Sequence, residues 1–332
     1  MAKPKTSSGT RQTDAGANRP DLLDFLKRLL TIRLAEERLQ QLFADGEVPG
    51  FIHLSIGQEA ISVGVMSALG PNDTIASTHR GHGHAIAKGM PLDGFFAEIL
   101  AKENGVCRGR GGSMHVADMS IGMLGANGIV GAGPPIALGS ALAHRTLDNG
   151  HIAVSFFGDG ALAEGVLHET FNMASLWKLP ILFVCEANGW SEFSPVGRQI
   201  AFDPESWTGS YGLDYREVDG NDVVAVAEAA REMIGDIRTG KGPALLKCMT
   251  SRIRGHYEGD AQKYRGEDEP PSRDPVTVVR ERLIADDVDE SALADLAERV
   301  RTDIDAAVTA ARAGGAAQFE AAMADVYTGG HS

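Results

Sequence analysis

The sequence predicts an α/β fold in which helices cover both faces of a doubly wound, mostly parallel sheet. Three short apolar runs, at residues 152–157, 181–186 and 243–250, indicate strands. The segments between them carry apolar residues at helical spacing, and strands that alternate with helices are typical of βαβ units. Strands that are apolar throughout, rather than at every second position, indicate a sheet buried on both faces.

Helical patterns at both ends of the chain predict two helical arms. The N-terminal pattern runs from Leu22 to Phe43, and Pro20 suits the first turn of such a helix. Asp289 is the predicted N-cap of a C-terminal helix whose apolar stripe extends from Leu293 to Val308. Between the last two predicted strands, residues 219–222 form a predicted turn and N-cap before a further helix.

These patterns divide the chain into three parts. Residues 1–19 are polar and lack the apolar centre of a secretory signal, so we expect a disordered tail. Residues 20–265 form the predicted α/β domain with its N-terminal helix. Residues 266–332 begin with a proline-bearing polar linker and continue as the C-terminal helical extension.

Composition excludes several classes of function. The 332 residues are 43% hydrophobic and carry a formal net charge of −14. This charge argues against nucleic acid or an anionic membrane as partner, because both select for clustered positive charge. No apolar run approaches the roughly 18–20 residues that cross a bilayer. Three widely spaced cysteines predict reduced thiols in the cytoplasm.

Two short motifs follow neighbouring predicted strands. Gly158-Asp159-Gly160 follows the first strand and Asn188 follows the second, so both emerge at one edge of the sheet, where ligands bind. The backbone N–H groups of Gly160 and Ala161 can face an anion, which the Asp159 carboxylate would repel. A bridging Mg²⁺ ion resolves this conflict. Either motif alone is most often a turn, but the pair, one helix and one strand apart, is more specific.

The segment GDGALAEGVLHETFNMASLWKLPILFVCEANGW, at residues 158–190, resembles a family signature. It is similar to the thiamine diphosphate signature of alpha subunits in the first components of 2-oxo acid dehydrogenases, a family that includes the pyruvate, branched-chain and acetoin dehydrogenases. Four other segments fit in the family's order, GFIHLSIGQEA (50–60), RGRGGSMH (108–115), NGIVGAGPP (127–135) and RGHYEGDAQKYR (254–265). The resemblance extends from about Leu22 to Tyr327.

The resemblance implies thiamine diphosphate and Mg²⁺ as cofactors. The implied metal ligands are the side chains of Asp159 and Asn188 and the backbone carbonyl of Trp190. The implied cofactor-binding residues are His79, Arg80, Gly128, Val130, Asp159, Gly160, Ala161, Asn188 and His256. Among them, Arg80, Gly160, Ala161 and His256 hold the diphosphate, and backbone groups of Gly128 and Val130 bind the aminopyrimidine. The family has two asparagines where this chain has Ala187 before Asn188, a change that removes a local hydrogen bond rather than the metal ligand.

Two histidines are candidate catalytic residues. His256 follows the third predicted strand, and the resemblance implies that it transfers protons near neutral pH. His53 is the second candidate, with a structural role as its alternative.

The cluster at residues 77–89 has two further interpretations. His79, His82 and His84 are close in sequence, but no cysteine or carboxylate completes a zinc site. Partly buried histidines that form hydrogen bonds in a polar cleft are the structural alternative. We favour Arg80 as a diphosphate contact, because its planar guanidinium matches phosphate oxygens, with His79 beside the cofactor.

The chain contains one predicted α/β unit, whereas the family's chemistry requires two. We therefore expect a beta subunit that carries the pyrimidine-binding domain and the activating glutamate, assembled as an α2β2 heterotetramer. A lipoyl-bearing acyltransferase would accept the acyl group. The segments at residues 77–89, 125–131 and 255–262 look more like acetoin dehydrogenase alpha subunits than like pyruvate or branched-chain ones, which implies oxidative cleavage of acetoin next to its carbonyl. A first component for pyruvate or branched-chain 2-oxo acids is the alternative.

Two hypotheses from other classes explain less of the sequence. A non-catalytic nucleotide-binding module would account for the glycine-rich turns, but the chain lacks a Walker lysine motif and a strand-linked G-x-G-x-x-G. Half of a split transketolase-like enzyme would share the cofactor but not the segment at residues 255–265.

Overall fold

The computed structural model describes residues 19–266 and 273–326. Its strands are β1 (Thr74–Ala76), β2 (Met123–Gly125), β3 (Ala153–Gly158), β4 (Ile181–Ala187), β5 (Trp190–Ser191), β6 (Ser194–Pro195), β7 (Asp214–Asp219) and β8 (Ala244–Met249). Six of them form one sheet in the order β2-β1-β3-β4-β8-β7, and every neighbouring pair is parallel. Strands β5 and β6 form a separate antiparallel hairpin.

The helices cover both faces of this sheet. They are α1 (Arg19–Ala44), α2 (Glu59–Met66), α3 (His82–Lys88), α4 (Leu92–Ile99), α5 (Gly133–Leu147), α6 (Gly165–Leu176), α7 (Pro204–Ser210), α8 (Val223–Arg238), α9 (Pro275–Ala285), α10 (Glu290–Arg312) and α11 (Phe319–Ala324). One hydrophobic cluster joins α1, α2, α4, α8 and α10 to one face, and a second joins α5 and α6 to the other. The predicted α/β fold is therefore confirmed.

The three apolar runs found in the sequence are the central strands β3, β4 and β8. All seven residues of β4 are buried, as expected for a strand between two helical layers. The predicted caps are also present: Asp222 accepts hydrogen bonds at the start of α8, and Asp289 does so at the start of α10.

The sequence did not reveal the other three strands of the sheet. β1 and β2 have only three residues each, too few for a periodic pattern. β7 lies at an edge of the sheet, where its polar residues reach solvent. Short strands and polar edge strands form through pairing with neighbours, and local sequence carries little of that information.

The C-terminal arm packs back onto the N-terminal half, since α10 contacts both α4 and α1. Within the described part of the chain, no helix combines the length and the apolar character that a membrane span requires. The predicted tail lies outside the described residues except for Arg19, which begins α1. The division of the chain into three parts stays a prediction.

Gly64 sets the close approach of α2 to α8. A Cβ atom at Gly64 would lie 2.7 Å from Cγ1 of Val226 and 3.1 Å from the backbone nitrogen of Ala227. We expect Gly64→Ala to lower the free energy of unfolding by about 1–3 kcal/mol, because the two helices must separate. Urea denaturation measures this change. Gly235→Ala is the matched control, since nothing lies within 4 Å of its added methyl. It should raise stability by about 0.5–1 kcal/mol, and a similar loss in both variants would contradict the packing argument.

Candidate active site

A cavity of about 330 Å³ lies at the carboxyl edge of the sheet. Its walls come from the segments that follow β1, β3, β4 and β8, together with the loop that precedes α5. Parallel strands bring their carboxyl ends to one edge, so segments far apart in sequence meet there. This is the edge at which the sequence placed its two motifs.

Asp159 is buried in the turn after β3, with 4% of its surface exposed. Its Oδ2 accepts a hydrogen bond from the backbone nitrogen of Gly189 at 2.7 Å. Its Oδ1 is buried and has no hydrogen-bond partner among the described residues. Burial disfavours the charged form and raises the pKa of this carboxyl group to about 6. One oxygen of a buried carboxylate is thus left for a ligand.

Asn188 begins the segment after β4 and is held on both sides. Its Nδ2 donates to Oε1 of Gln58 at 3.1 Å, and its Oδ1 accepts from the backbone nitrogen of Trp190 at 3.0 Å. Gln58, which the sequence did not single out, thereby fixes the orientation of the amide. Ala187 before it is the buried last residue of β4, and its methyl group joins an apolar cluster.

The turn after β3 and the hairpin after β4 are in close contact. A Cβ atom at Gly160 would approach Oγ of Ser191 to 2.6 Å, so only glycine lets the hairpin lie this close. Gly160 and Ala161 both line the cavity.

Two arginines are buried beside the cavity, with exposed fractions of 5% for Arg80 and 2% for Arg252. Arg80 donates to the carbonyl oxygens of Leu54 at 2.8 Å and His256 at 2.9 Å. Burial, and then the charge of Arg252, lower its pKa to about 10. Arg252 donates to the Glu192 carbonyl at 3.1 Å. Neither guanidinium has an ion pair with a carboxylate among the described residues. Buried cations without counter-charges favour an anionic ligand.

Three histidine rings from separate segments meet in the cavity. The ring centroids of His53 and His79 lie 4.8 Å apart, and that of His256 lies 5.1 Å and 5.3 Å from them. Burial, followed by the charge of Arg80, lowers their pKa values to about 3, 2 and 4 respectively. All three imidazoles are therefore neutral near pH 7. One nitrogen of each could face a common metal ion. The adjacent Arg80 and Arg252 disfavour a cation there, and the same positive charge keeps these imidazoles weak bases until an anion offsets it.

His82 and His84 point away from the cavity into two separate buried networks. His82 lies 2.9 Å from Oε2 of Glu36 and 2.8 Å from Oγ of Ser113. His84 lies 2.7 Å from Oγ of Ser77 and 3.2 Å from Oε1 of Glu186. Of residues 77–89, the stretch from Ser77 to Arg80 thus lines the cavity, whereas His82 and His84 do not.

Buried or partly buried carboxylates hold two loops of the site. Glu98 accepts backbone hydrogen bonds from the glycine-rich loop that leads to Met114 in the cavity wall. The donors are the nitrogens of Cys107, Gly109, Gly111 and Gly112. Asp260 accepts from the His256 nitrogen at 2.7 Å and from the Tyr264 hydroxyl at 2.6 Å. Neither role has a signal in the local sequence, because each depends on the path of a folded loop.

The remaining predicted residues also line the cavity. Gly128 and Val130 lie in the loop before α5, and Trp190 lies in β5, where its ring packs against Tyr264 at 5.1 Å. The structure therefore gathers the predicted residues at one cavity and adds Gln58 and Arg252 to them. Asp159 is the exception in the cavity wall, since it lies buried between Gly158 and Gly160, which line it. The roles of these residues toward a cofactor stay predictions.

Comparisons with known proteins agree with the motifs. A family model described as "Dehydrogenase E1 component" matches residues 27–320. The chain is 46% identical over 288 residues to the alpha subunit of an acetoin:2,6-dichlorophenolindophenol oxidoreductase from Bacillus subtilis, covering 85% of this chain and 86% of that protein. It is 47% identical over 245 residues to the same subunit from Cupriavidus necator, with 74% of each chain covered.

A relative with another named substrate is more distant. The alpha subunit of a pyruvate dehydrogenase E1 component from Zymomonas mobilis is 39% identical over 294 residues, which cover 87% of this chain and 83% of that protein. Both sets of relatives are alpha subunits, and they confirm the family resemblance found in the sequence. The chain belongs to the dehydrogenase E1 component family, whose members are thiamine-diphosphate-dependent oxidoreductases.

Proposed function

We propose that this chain is the alpha subunit of an acetoin dehydrogenase-like enzyme that binds thiamine diphosphate and Mg²⁺. The observation that carries the cofactor site is the unpartnered Oδ1 of buried Asp159 beside the fixed amide of Asn188. A carboxylate oxygen, an amide oxygen and the Trp190 carbonyl are hard oxygen ligands of the kind that Mg²⁺ prefers.

The surroundings fit the diphosphate as well. Gly160 and Ala161 bring backbone to the cavity, while Arg80 supplies buried positive charge and His256 a hydrogen-bonding imidazole. Arg252 adds a second guanidinium within reach of His256, at 3.2 Å from its Nδ1. Planar guanidinium groups suit phosphate oxygens. These groups would hold the anionic end of the cofactor.

The aminopyrimidine end fits the opposite wall. There the loop that contains Gly128 and Val130 offers backbone groups, and His79 lies beside the cofactor. The carboxylate that activates the aminopyrimidine would come from the beta subunit.

The chain's own residues position the substrate and move protons. When bound, thiamine diphosphate supplies the carbanion that attacks a carbonyl group and stabilises charge on the acyl carbon. His256 and His53 are neutral in the free chain. A bound diphosphate would offset the charge of Arg80 that lowers their pKa values, and each ring could then accept a proton at one nitrogen and donate one at the other.

The relatives favour acetoin over pyruvate as substrate. Those named for acetoin are 46% and 47% identical to this chain, and the one from Zymomonas mobilis named for pyruvate is 39% identical. In the proposed enzyme, acetoin is cleaved next to its carbonyl and the acyl group passes oxidatively to a lipoyl arm on an acyltransferase. A pyruvate or branched-chain 2-oxo acid dehydrogenase component is the alternative. We also propose an α2β2 assembly in the cytoplasm.

Asp159→Asn should have opposite effects on the free chain and on cofactor binding. The folded pKa of about 6 lies above the ordinary value of 3.8, so the buried charge lowers stability as pH rises from about 4 to 6, and the full loss persists above pH 6. Asp159→Asn carries no charge at this position, so it does not lose this stability as the pH rises. Without cofactor it should be about 1–3 kcal/mol more stable than wild type at pH 7.5, with the difference fading towards pH 4.

Urea denaturation at several pH values measures the stability effect, and calorimetry with thiamine diphosphate and Mg²⁺ measures binding. We expect at least about 100-fold weaker binding, because a metal ligand and its charge are lost. Asp148→Asn, at the exposed end of α5, is the control and should change neither quantity. Wild-type binding by Asp159→Asn would refute the metal assignment.

Dye reduction by the chain reconstituted with its beta subunit, thiamine diphosphate and Mg²⁺ tests the substrate. We expect kcat/KM for acetoin to exceed that for pyruvate, and the alpha chain alone to show no turnover, because the second half of the cofactor site is missing. Preference for pyruvate would favour the alternative enzyme. Full activity of the isolated chain would refute the need for a beta subunit.

A further inference from the structure

We infer that Glu192 selects the substrate, and that its carboxylate admits a neutral hydroxyketone and repels a 2-oxo acid. The inference rests on the proposed function, which supplies the two candidate substrates. It concerns a residue that the sequence motifs did not single out.

Glu192 occupies a backbone position that disfavours it. It is the first of two residues that connect β5 to β6, and its φ is +53°. A positive φ at this point of a two-residue hairpin loop is typical of type II′ turns, where glycine is preferred. A side chain kept in this conformation costs stability, and such strain is concentrated at functional sites. Seven non-glycine residues of the described chain have a positive φ, and among them only Glu192 lines the cavity.

The hairpin places residue 192 between the two halves of the candidate site. On one side, Ser191 lies against Gly160 in the turn after β3. On the other side, the Glu192 carbonyl accepts a hydrogen bond from Arg252, and the Phe193 ring lies 5.9 Å from that of His256. Glu192 itself lines the cavity. The turn at Gly160 and the ring of His256 thus lie on either side of Glu192.

Charge in the cavity makes Glu192 distinctive. Glu186 also lines the cavity, but His84 lies 3.2 Å from its carboxylate. Asp159 is assigned to the metal. The Glu192 carboxylate has neither an ion pair nor a hydrogen bond within the described ranges 19–266 and 273–326. Once diphosphate occupies the buried arginines, the carboxylate of this exposed residue is an unneutralised negative charge in the wall of the cavity.

Such a charge distinguishes the two substrates by simple electrostatics. Acetoin carries a hydroxyl group next to its carbonyl, and a carboxylate can accept that hydroxyl's hydrogen bond. Pyruvate carries a carboxylate in the same place, and two like charges a few ångströms apart repel. In a partly exposed cavity, this repulsion is worth about a factor of ten in binding.

Glu192→Gln tests the inference, because it removes the charge and keeps the size. In the reconstituted enzyme, the ratio of kcat/KM for acetoin to that for pyruvate should fall about tenfold. Glu192→Asp keeps the charge and should keep most of the preference. Glu205→Gln removes an exposed charge at the start of α7 and should leave the ratio unchanged. Glu192→Gly relieves the positive φ, so it should fold at least as well as wild type and lose the preference as the glutamine variant does.

Binding without turnover gives a second measurement. With an unreactive analogue of thiamine diphosphate in the site, pyruvate should bind about tenfold more tightly to Glu192→Gln than to wild type, as measured by calorimetry. Equal pyruvate affinities and equal ratios in all variants, in an enzyme that prefers acetoin, would overturn the role of Glu192 and leave the proposed function standing. A wild-type enzyme that prefers pyruvate would instead refute the proposed function.

Discussion

The candidate site depends on charges that the fold buries without pairing them to one another. Arg80 and Arg252 have no ion pair within the described residues, and one oxygen of Asp159 has no hydrogen bond. Removing a charge from water costs several kcal/mol unless partners replace the lost hydration. In the folded chain these three unpaired groups lie together at the carboxyl edge of the sheet. A ligand that combines an anion and a cation would offset this cost, because the anion pairs with the arginines and the cation with Asp159.

Two carboxylates of the chain hold loops of the site in place by accepting hydrogen bonds from backbone nitrogens. Glu98 accepts the backbone nitrogens of a glycine-rich loop, and Asp260 does the same for the loop of His256. This is the interaction that helix N-termini and glycine turns offer to phosphate. In these loops the protein satisfies the donors with its own side chains, whereas near Gly160 and Ala161 it leaves backbone at a cavity. Two loops are thereby fixed, and the third segment stays accessible to a ligand.

How far the sequence predicts this architecture depends on the range of each interaction. Asp159 and Asn188 could be placed at one edge because each directly follows an apolar strand, and parallel strands all end at the same edge of the sheet. Gln58 and Arg252 could not be recognised, since their significance comes from partners more than 50 residues away, Asn188 in one case and Glu192 in the other. The same limit explains the missed strands β1, β2 and β7, which depend on pairing with neighbours rather than on their own composition.

The opposite charges at the site also make metal and diphosphate depend on each other in the proposed enzyme. Diphosphate alone would meet the Asp159 carboxylate, and Mg²⁺ alone would meet the field of Arg80 and Arg252. Each ion lowers the cost of binding the other, and such coupling is reciprocal by thermodynamic necessity. Without a ligand the pKa of Asp159 is raised to about 6, so part of this carboxyl group is protonated below neutral pH. The metal must displace that proton in order to bind. In this arrangement the affinity for diphosphate therefore depends on Mg²⁺. It falls on acidification, because protons compete with the metal for the carboxylate of Asp159.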